Sequence, residues 1–185
     1  HNFKNQEEQI LEYFVNLDKP TKIVIESMCS WYWLHDLLKA HNFKVVISNP
    51  LKTKAIASAK IKNDKVDSHM LAQLLRADLI ATVHVCSLKT RKLKELLRHR
   101  QRLVRDATRM KNRIHMLLMK NNIRVAVRDL FGVKGMKCLK EIELPIYHHR
   151  QLKSYLTLYD CLRQQIEPLT KRIHHLADKD PMAKL

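Results

Sequence analysis

Residues 21–50, TKIVIESMCSWYWLHDLLKAHNFKVVISNP, decide the fold class. The β-branched run Ile23-Val24-Ile25 reads as a short buried strand that ends at Glu26. Residues 29–41 read as a helix, and FKVVISNP as a second strand stopped by Asn49–Pro50. A helix over residues 5–17 precedes them, with Ile10, Leu11, Phe14, Val15 and Leu17 near one face. Helix, strand, helix, strand is an α/β alternation, which builds a partly parallel sheet. Further on, residues 51–61 read as helix or loop. Asp64 to about Asp78 reads as a helix with the apolar stripe Val66, Met70, Leu71, Leu74 and Leu75.

Near residue 83 the pattern changes. From Lys89 to Asn121, the positions Leu93, Leu96, Arg100, Leu103, Ala107, Met110, Ile114 and Leu117 step by alternating threes and fours. That is a heptad seam interrupted only by Arg100. A polar connector near 122–146 follows, with Gly132 and Gly135 in LFGVKG. A second seam then runs through Leu152, Tyr155, Tyr159, Leu162, Ile166, Leu169, Ile173 and Leu176, with Pro168 expected to kink it. Two such helices form either a hairpin within the chain or an oligomeric coiled coil. The expected organisation is an α/β domain over 1–83 and an all-α, coiled-coil arm over 84–185.

Charge narrows the partner. The 185 residues carry 35 Lys or Arg against 18 Asp or Glu, a formal charge of +17, so a polyanion is the expected partner. Only two glycines and five prolines favour long helices with short turns. Cys29, Cys86, Cys138 and Cys161 form no CxxC pair and read as reduced core thiols of a cytoplasmic protein. His148–His149 and His174–His175 lack the i, i+4 spacing that aims two rings at one metal, so zinc is not expected. No apolar run reaches the roughly 20 residues of a membrane span, and no signal peptide is visible. No G-x-G-x-x-G or G-x-S-x-G occurs, GVKGMK is not a phosphate loop, and no Ser–His–Asp arrangement emerges.

Two constellations can carry function. In KIKNDKVDSHML (residues 60–71), Asp64 and Asp67 stand at i and i+3 on one side of a helix. Glu26 stands at the carboxyl end of a strand, where open α/β sheets place their sites. Oxygen-only ligands suit Mg²⁺ or Mn²⁺, and two such ions can stabilise both oxygens of a phosphodiester displacement. The plainer reading makes Asp64 a helix cap and leaves Asp67 in water. Lys52, Lys54, Lys60, Lys62 and Lys65 flank the pair, as phosphate contacts or as a solvated basic face. The second constellation lies between Leu88 and Arg128, where 14 Lys or Arg face two acids, Glu95 and Asp106. Arg98, Arg102, Arg105, Arg109 and Arg113 recur every three or four residues, with Lys111 and Asn112 among them. This ridge can follow a phosphate backbone without reading sequence. A membrane-surface helix has similar composition, but here the apolar face is needed for helix pairing.

The order IVIES, VVISNP, AKIKNDKVDSHMLAQLLRADLI, LVRDATRMKNRIHMLL and DLFGVKG resembles the DEDD-type insertion-sequence transposases of family one-ten, which include the Piv-type DNA invertases. The resemblance implies a partial RuvC-like, ribonuclease-H-type α/β domain followed by a coiled-coil arm. It implies a Mg²⁺-dependent acidic site in which Glu26, Asp64 and Asp67 match the second, third and fourth acids. It also implies oligomers that hold DNA and a structured bridge RNA. The family's first acid lies on a strand expected before His1, since Asp18 is misplaced to replace it. A serine-bearing domain is expected after Leu185, so the chain reads as a middle fragment that is inactive alone. The expected function is part of a DNA transposase or recombinase. The competing expectations are a metal-dependent nuclease or Holliday-junction resolvase of the same fold, and a non-enzymatic coiled-coil nucleic-acid-binding protein. Target DNA, RNA sequence and oligomer number are not encoded in any motif.

Overall fold

A computed structural model describes residues 5–17, 21–29, 31–56 and 64–181, without the side chains of residues 55, 56 and 64. The chain divides into two compact units, His1–Cys86 and Ser87–Leu185.

The first unit is a small mixed α/β region: α1 Glu7–Val15, β1 Lys22–Glu26, α2 Trp31–Ala40, β2 Lys44–Ser48, α3 Pro50–Ile56 and α4 Asp64–Arg76. β1 and β2 are parallel, with Lys22 opposite Lys44 and Glu26 opposite Ser48. A parallel pair needs a crossover, and α2 supplies it. On the other side of β2, Ser48 bridges Thr82 in the antiparallel sense. The Asn49 N–H donates to Ala81 O and the Val83 N–H to Ile47 O, both at 2.8 Å. The core joins Ile10 of α1, Ile23 of β1, Leu38 of α2 and Phe43. The Phe14 ring meets Phe43 edge-on at 5.9 Å. The apolar face of α1 is narrower than its sequence implies: Val15 is 55% exposed, whereas Leu17, beyond the helix end, is half-buried. On α4, Leu74 is buried and Val66, Met70, Leu71 and Leu75 are half-buried, so the expected stripe does face inward.

The second unit is helical, with α5 Leu88–Lys120, α6 Val133–Glu141 and α7 Ile146–Asp178. Ser87 opens α5, its Oγ accepting the Thr90 N–H at 3.2 Å, as a helix N-cap does. α5 and α7 pack against each other in antiparallel sense. His148 and Asn121 pair at one end of the hairpin, at 2.8 Å. Seventy residues apart in sequence, the Arg100 Nε donates to Thr170 Oγ1 at 2.8 Å nearer the other. The two seams thus meet within one chain. Burial is deepest near the connector, where Ile114, Leu117, Leu118, Leu152 and Leu156 close around Leu139. Ala107, Met110 and Tyr159 extend it by about two turns. At the far end Leu93 remains 38% exposed.

Arg100, the one cation in the seam, is part-buried and held by Thr170, whose hydroxyl in turn donates to Ile166 O. The connector contains a helix that the glycines conceal. Gly132 is the residue before α6, and Gly135 lies inside it, because a Cβ there would come within 2.2 Å of Leu130 O. α7 continues through Pro168. Lys171 binds Glu167 at 2.7 Å, and this hydrogen bond holds the exposed Glu167 carboxyl below the usual carboxylate range. None of the four cysteines is in a disulfide, but Cys29 and Cys161 are exposed and only Cys86 and Cys138 half-buried, so the expectation of core thiols is corrected.

With so few glycines, the chain ends three helices on Asn or Asp. Asn42, Asp78 and Asn122 have φ of 63°, 57° and 53°. After each, an apolar residue donates its N–H five residues back: Phe43 to Leu38, Leu79 to Leu74 and Ile123 to Leu118. These are Schellman-type ends, and Asn and Asp tolerate the left-handed position better than other residues with a side chain.

Candidate functional site

The carboxyl edge of the two strands gathers the first set of candidate residues. β1 ends at Glu26, half-buried, beside the cavity of about 310 Å³ that Ile10, Phe14, Leu34 and Leu38 also line. The Ser27 N–H donates to Ser48 O at 3.1 Å, and the Met28 N–H turns back to Glu26 O at 2.8 Å. β2 ends at Ser48, whose buried hydroxyl pairs with Thr53 Oγ1 at 2.7 Å. Asn49 then caps α3, its Oδ1 accepting the Leu51 and Lys52 N–H groups at 3.1 and 3.2 Å. Because Glu26 faces Ser48 in register, α3 with exposed Lys52 and Lys54 begins at the same edge as Glu26. α2 returns from this edge, so its first turn, Trp31 to Trp33, lies there too. The sequence reading gave Met28 and Trp33 no role. The signal was a methionine two residues and a tryptophan seven residues after the strand-end acid Glu26.

α4 packs on β1, with Asp78 Oδ1 3.7 Å from Lys22 Nζ beyond the end of the helix. Asp64 opens α4 and Asp67 follows three residues later, exposed, with exposed Lys65 between them. Lys60, Lys62 and Asp18 lie outside the described residues, as does the Asp64 side chain. Among the described residues, neither the Glu26 nor the Asp67 carboxylate has a hydrogen-bonding or ion-pairing partner. Carboxylate oxygens are the donors that a hard divalent cation takes. Among the described residues, which exclude the Asp64 side chain, no three His, Cys, Asp or Glu groups could together hold a metal ion.

The basic ridge lies on α5. Arg98, Arg102, Arg105, Arg109 and Arg113 are all exposed, as is Asn112. They are not equivalent. Arg102 lies 3.6 Å from Glu95, and Arg109 donates to Asp106 at 2.9 Å. Arg113 sits 5.8 Å over the Tyr155 ring. Lys111 is half-buried, its Nζ 4.9 Å over Phe131 and 5.5 Å over Tyr159, so it also ties the connector to the hairpin. Arg98 and Arg105 have no ion-pair or ring partner among the described residues. No helix among the described residues is long and apolar enough to cross a membrane.

The chain thus joins an α/β unit with a carboxylate at a strand end to a helix that exposes a row of arginines, a surface suited to a polyanion. The chain belongs to the DEDD_Tnp_IS110 family, whose model, described as a transposase, matches residues 1–122. The match spans the α/β unit, Glu26, Asp64, Asp67 and the whole of α5. Transposases act on DNA, so a transposase-related function and DNA as the class of substrate follow from membership. No curated protein matches the chain.

Proposed function

We propose that this chain is the RuvC-like, ribonuclease-H-type part and coiled-coil arm of a DNA transposase. Glu26, Asp64 and Asp67 would hold Mg²⁺ or Mn²⁺ at the DNA phosphate. A divalent ion so bound supplies charge stabilisation for phosphodiester displacement. The chain's own residues do the rest. β1 ends with Glu26 at the sheet edge, in register with Ser48, and Asn49 caps α3, which begins at that edge and carries Lys52 and Lys54. Lys60, Lys62 and Lys65 would add phosphate contacts before and within α4. On α5, Arg98, Arg102, Arg105, Arg109, Lys111, Asn112 and Arg113 would position DNA or a structured bridge RNA, with the free Arg98 and Arg105 carrying most of the contact. Assembly into homo-oligomers would use apolar seam positions left half-exposed at the far end of the hairpin.

The observation that carries this reading is the family match over residues 1–122, which contains all three acids in order. The test uses the transposase that contains this chain. Asp67→Asn and Glu26→Gln are each expected to lower strand transfer by at least about a hundredfold, roughly 2.7 kcal/mol at 1.36 kcal/mol per decade. DNA and RNA affinity should stay within about threefold. Strand transfer that survives both substitutions sinks the proposed site.

A further inference from the structure

We infer that Trp33, with Met28, forms a stacking surface for one unpaired base of the DNA strand whose phosphate lies at the acidic edge. This rests on the reading above that the edge acts on DNA.

The two tryptophans of the chain do different things. Trp31 is 9% exposed, stacked on Tyr32 at 3.9 Å and edge-on to His35 at 6.1 Å. It anchors α2. Trp33 comes two residues later, about 200° around the helix, and is 38% exposed. Met28 is 61% exposed, and its N–H to Glu26 O hydrogen bond holds its backbone next to the candidate acid. An indole and a thioether are thus left in water on segments that meet at this edge, where β1 ends at Glu26 and α3, with Lys52 and Lys54, begins.

Phosphates are served by the lysines, and a carboxylate repels them without a cation. The indole and thioether suit neither. They suit the flat face of a base, which a Trp ring stacks on and a Met sulfur contacts. Inside a duplex that face is covered by its neighbours, so only an unstacked base can use it. The surface therefore favours single-stranded or locally opened DNA at the site of strand cutting, independent of base identity.

Tryptophan fluorescence tests this on the chain as it stands. In Trp31→Phe, Trp33 is the sole emitter. Oligothymidylate of about 20 nucleotides is expected to quench it, while an abasic strand of equal length and charge leaves it unchanged. Should the loss of buried Trp31 unfold the protein, the same response is read as the difference between wild type and Trp33→Phe. Trp33→Leu is expected to bind oligothymidylate about tenfold more weakly, with duplex affinity unchanged. Trp33 emission that stays constant while oligothymidylate binds, or equal quenching by the abasic strand, overturns the inference and leaves the acidic site standing. Failure to bind any DNA, duplex included, overturns both.

Discussion

Glu26 and Asp67 carry the same charge in different surroundings. Glu26 is half-buried at a strand end and Asp67 lies open on a helix. Strand ends are legible because β-branched runs stop sharply, and KIVIE stops at Glu26 as its sequence implies. The direction of an aspartate at i+3 from another is not legible, since a cap, a solvated face and a ligand share that spacing. The glycines show the same limit. Read as turn markers, they hide α6, and only packing reveals that Gly135 is small because Leu130 and Asp129 backbone oxygens crowd it. Gly135→Ala should therefore cost about 1–3 kcal/mol, since backbone would have to move. Gly132 has an extended backbone, and a Cβ there would meet first a carboxylate oxygen of the Asp129 side chain, at 3.1 Å. Gly132→Ala should cost under about 0.5 kcal/mol. Chemical denaturation of the two variants checks the contrast, and equal losses would contradict it.

At the scale of elements, periodicity located α5 and α7 almost to their ends, because apolar seams along helices of 33 residues leave little ambiguity. It did not say which cations are occupied. Arg100 is bound into the seam by Thr170, Lys111 lies over two rings, and Arg102 and Arg109 answer Glu95 and Asp106. Neutralising Arg98 and Arg105 together should lower the slope of log affinity against log salt by about two. Neutralising Arg102 and Arg109 should lower it by less, because each already has a carboxylate beside it. Filter binding between about 50 and 200 mM salt measures both slopes, and identical ones would remove the distinction. Helix ends make a second prediction. Asn122 ends α5 at φ 53°, so Asn122→Ala should destabilise the second unit by about 1 kcal/mol and Asn122→Gly should not. Thermal unfolding of the three proteins reads the order directly.

Taken whole, the molecule is a small α/β unit and a helical hairpin, each with its own core. The alternation of helix and strand and the later heptads were readable in the sequence, whereas pairing of the seams within one chain needed coordinates. A ring-and-cation cluster at the connector, Lys111 with Phe131 and Tyr159, was likewise invisible, since it joins residues almost 50 apart in sequence. The function proposed for this architecture depends on one convergence: the end of β1 and the first turn of α4 must share a divalent ion. Paramagnetic broadening in amide spectra of the 21.9 kDa protein tests it, with Mn²⁺ added well below stoichiometry. The expected result is joint loss of the signals around Glu26 and of those from Asp64 to Asp67, both restored by Glu26→Gln. Broadening of one without the other, or spread over exposed acids such as Asp129 and Glu143, would contradict the shared site.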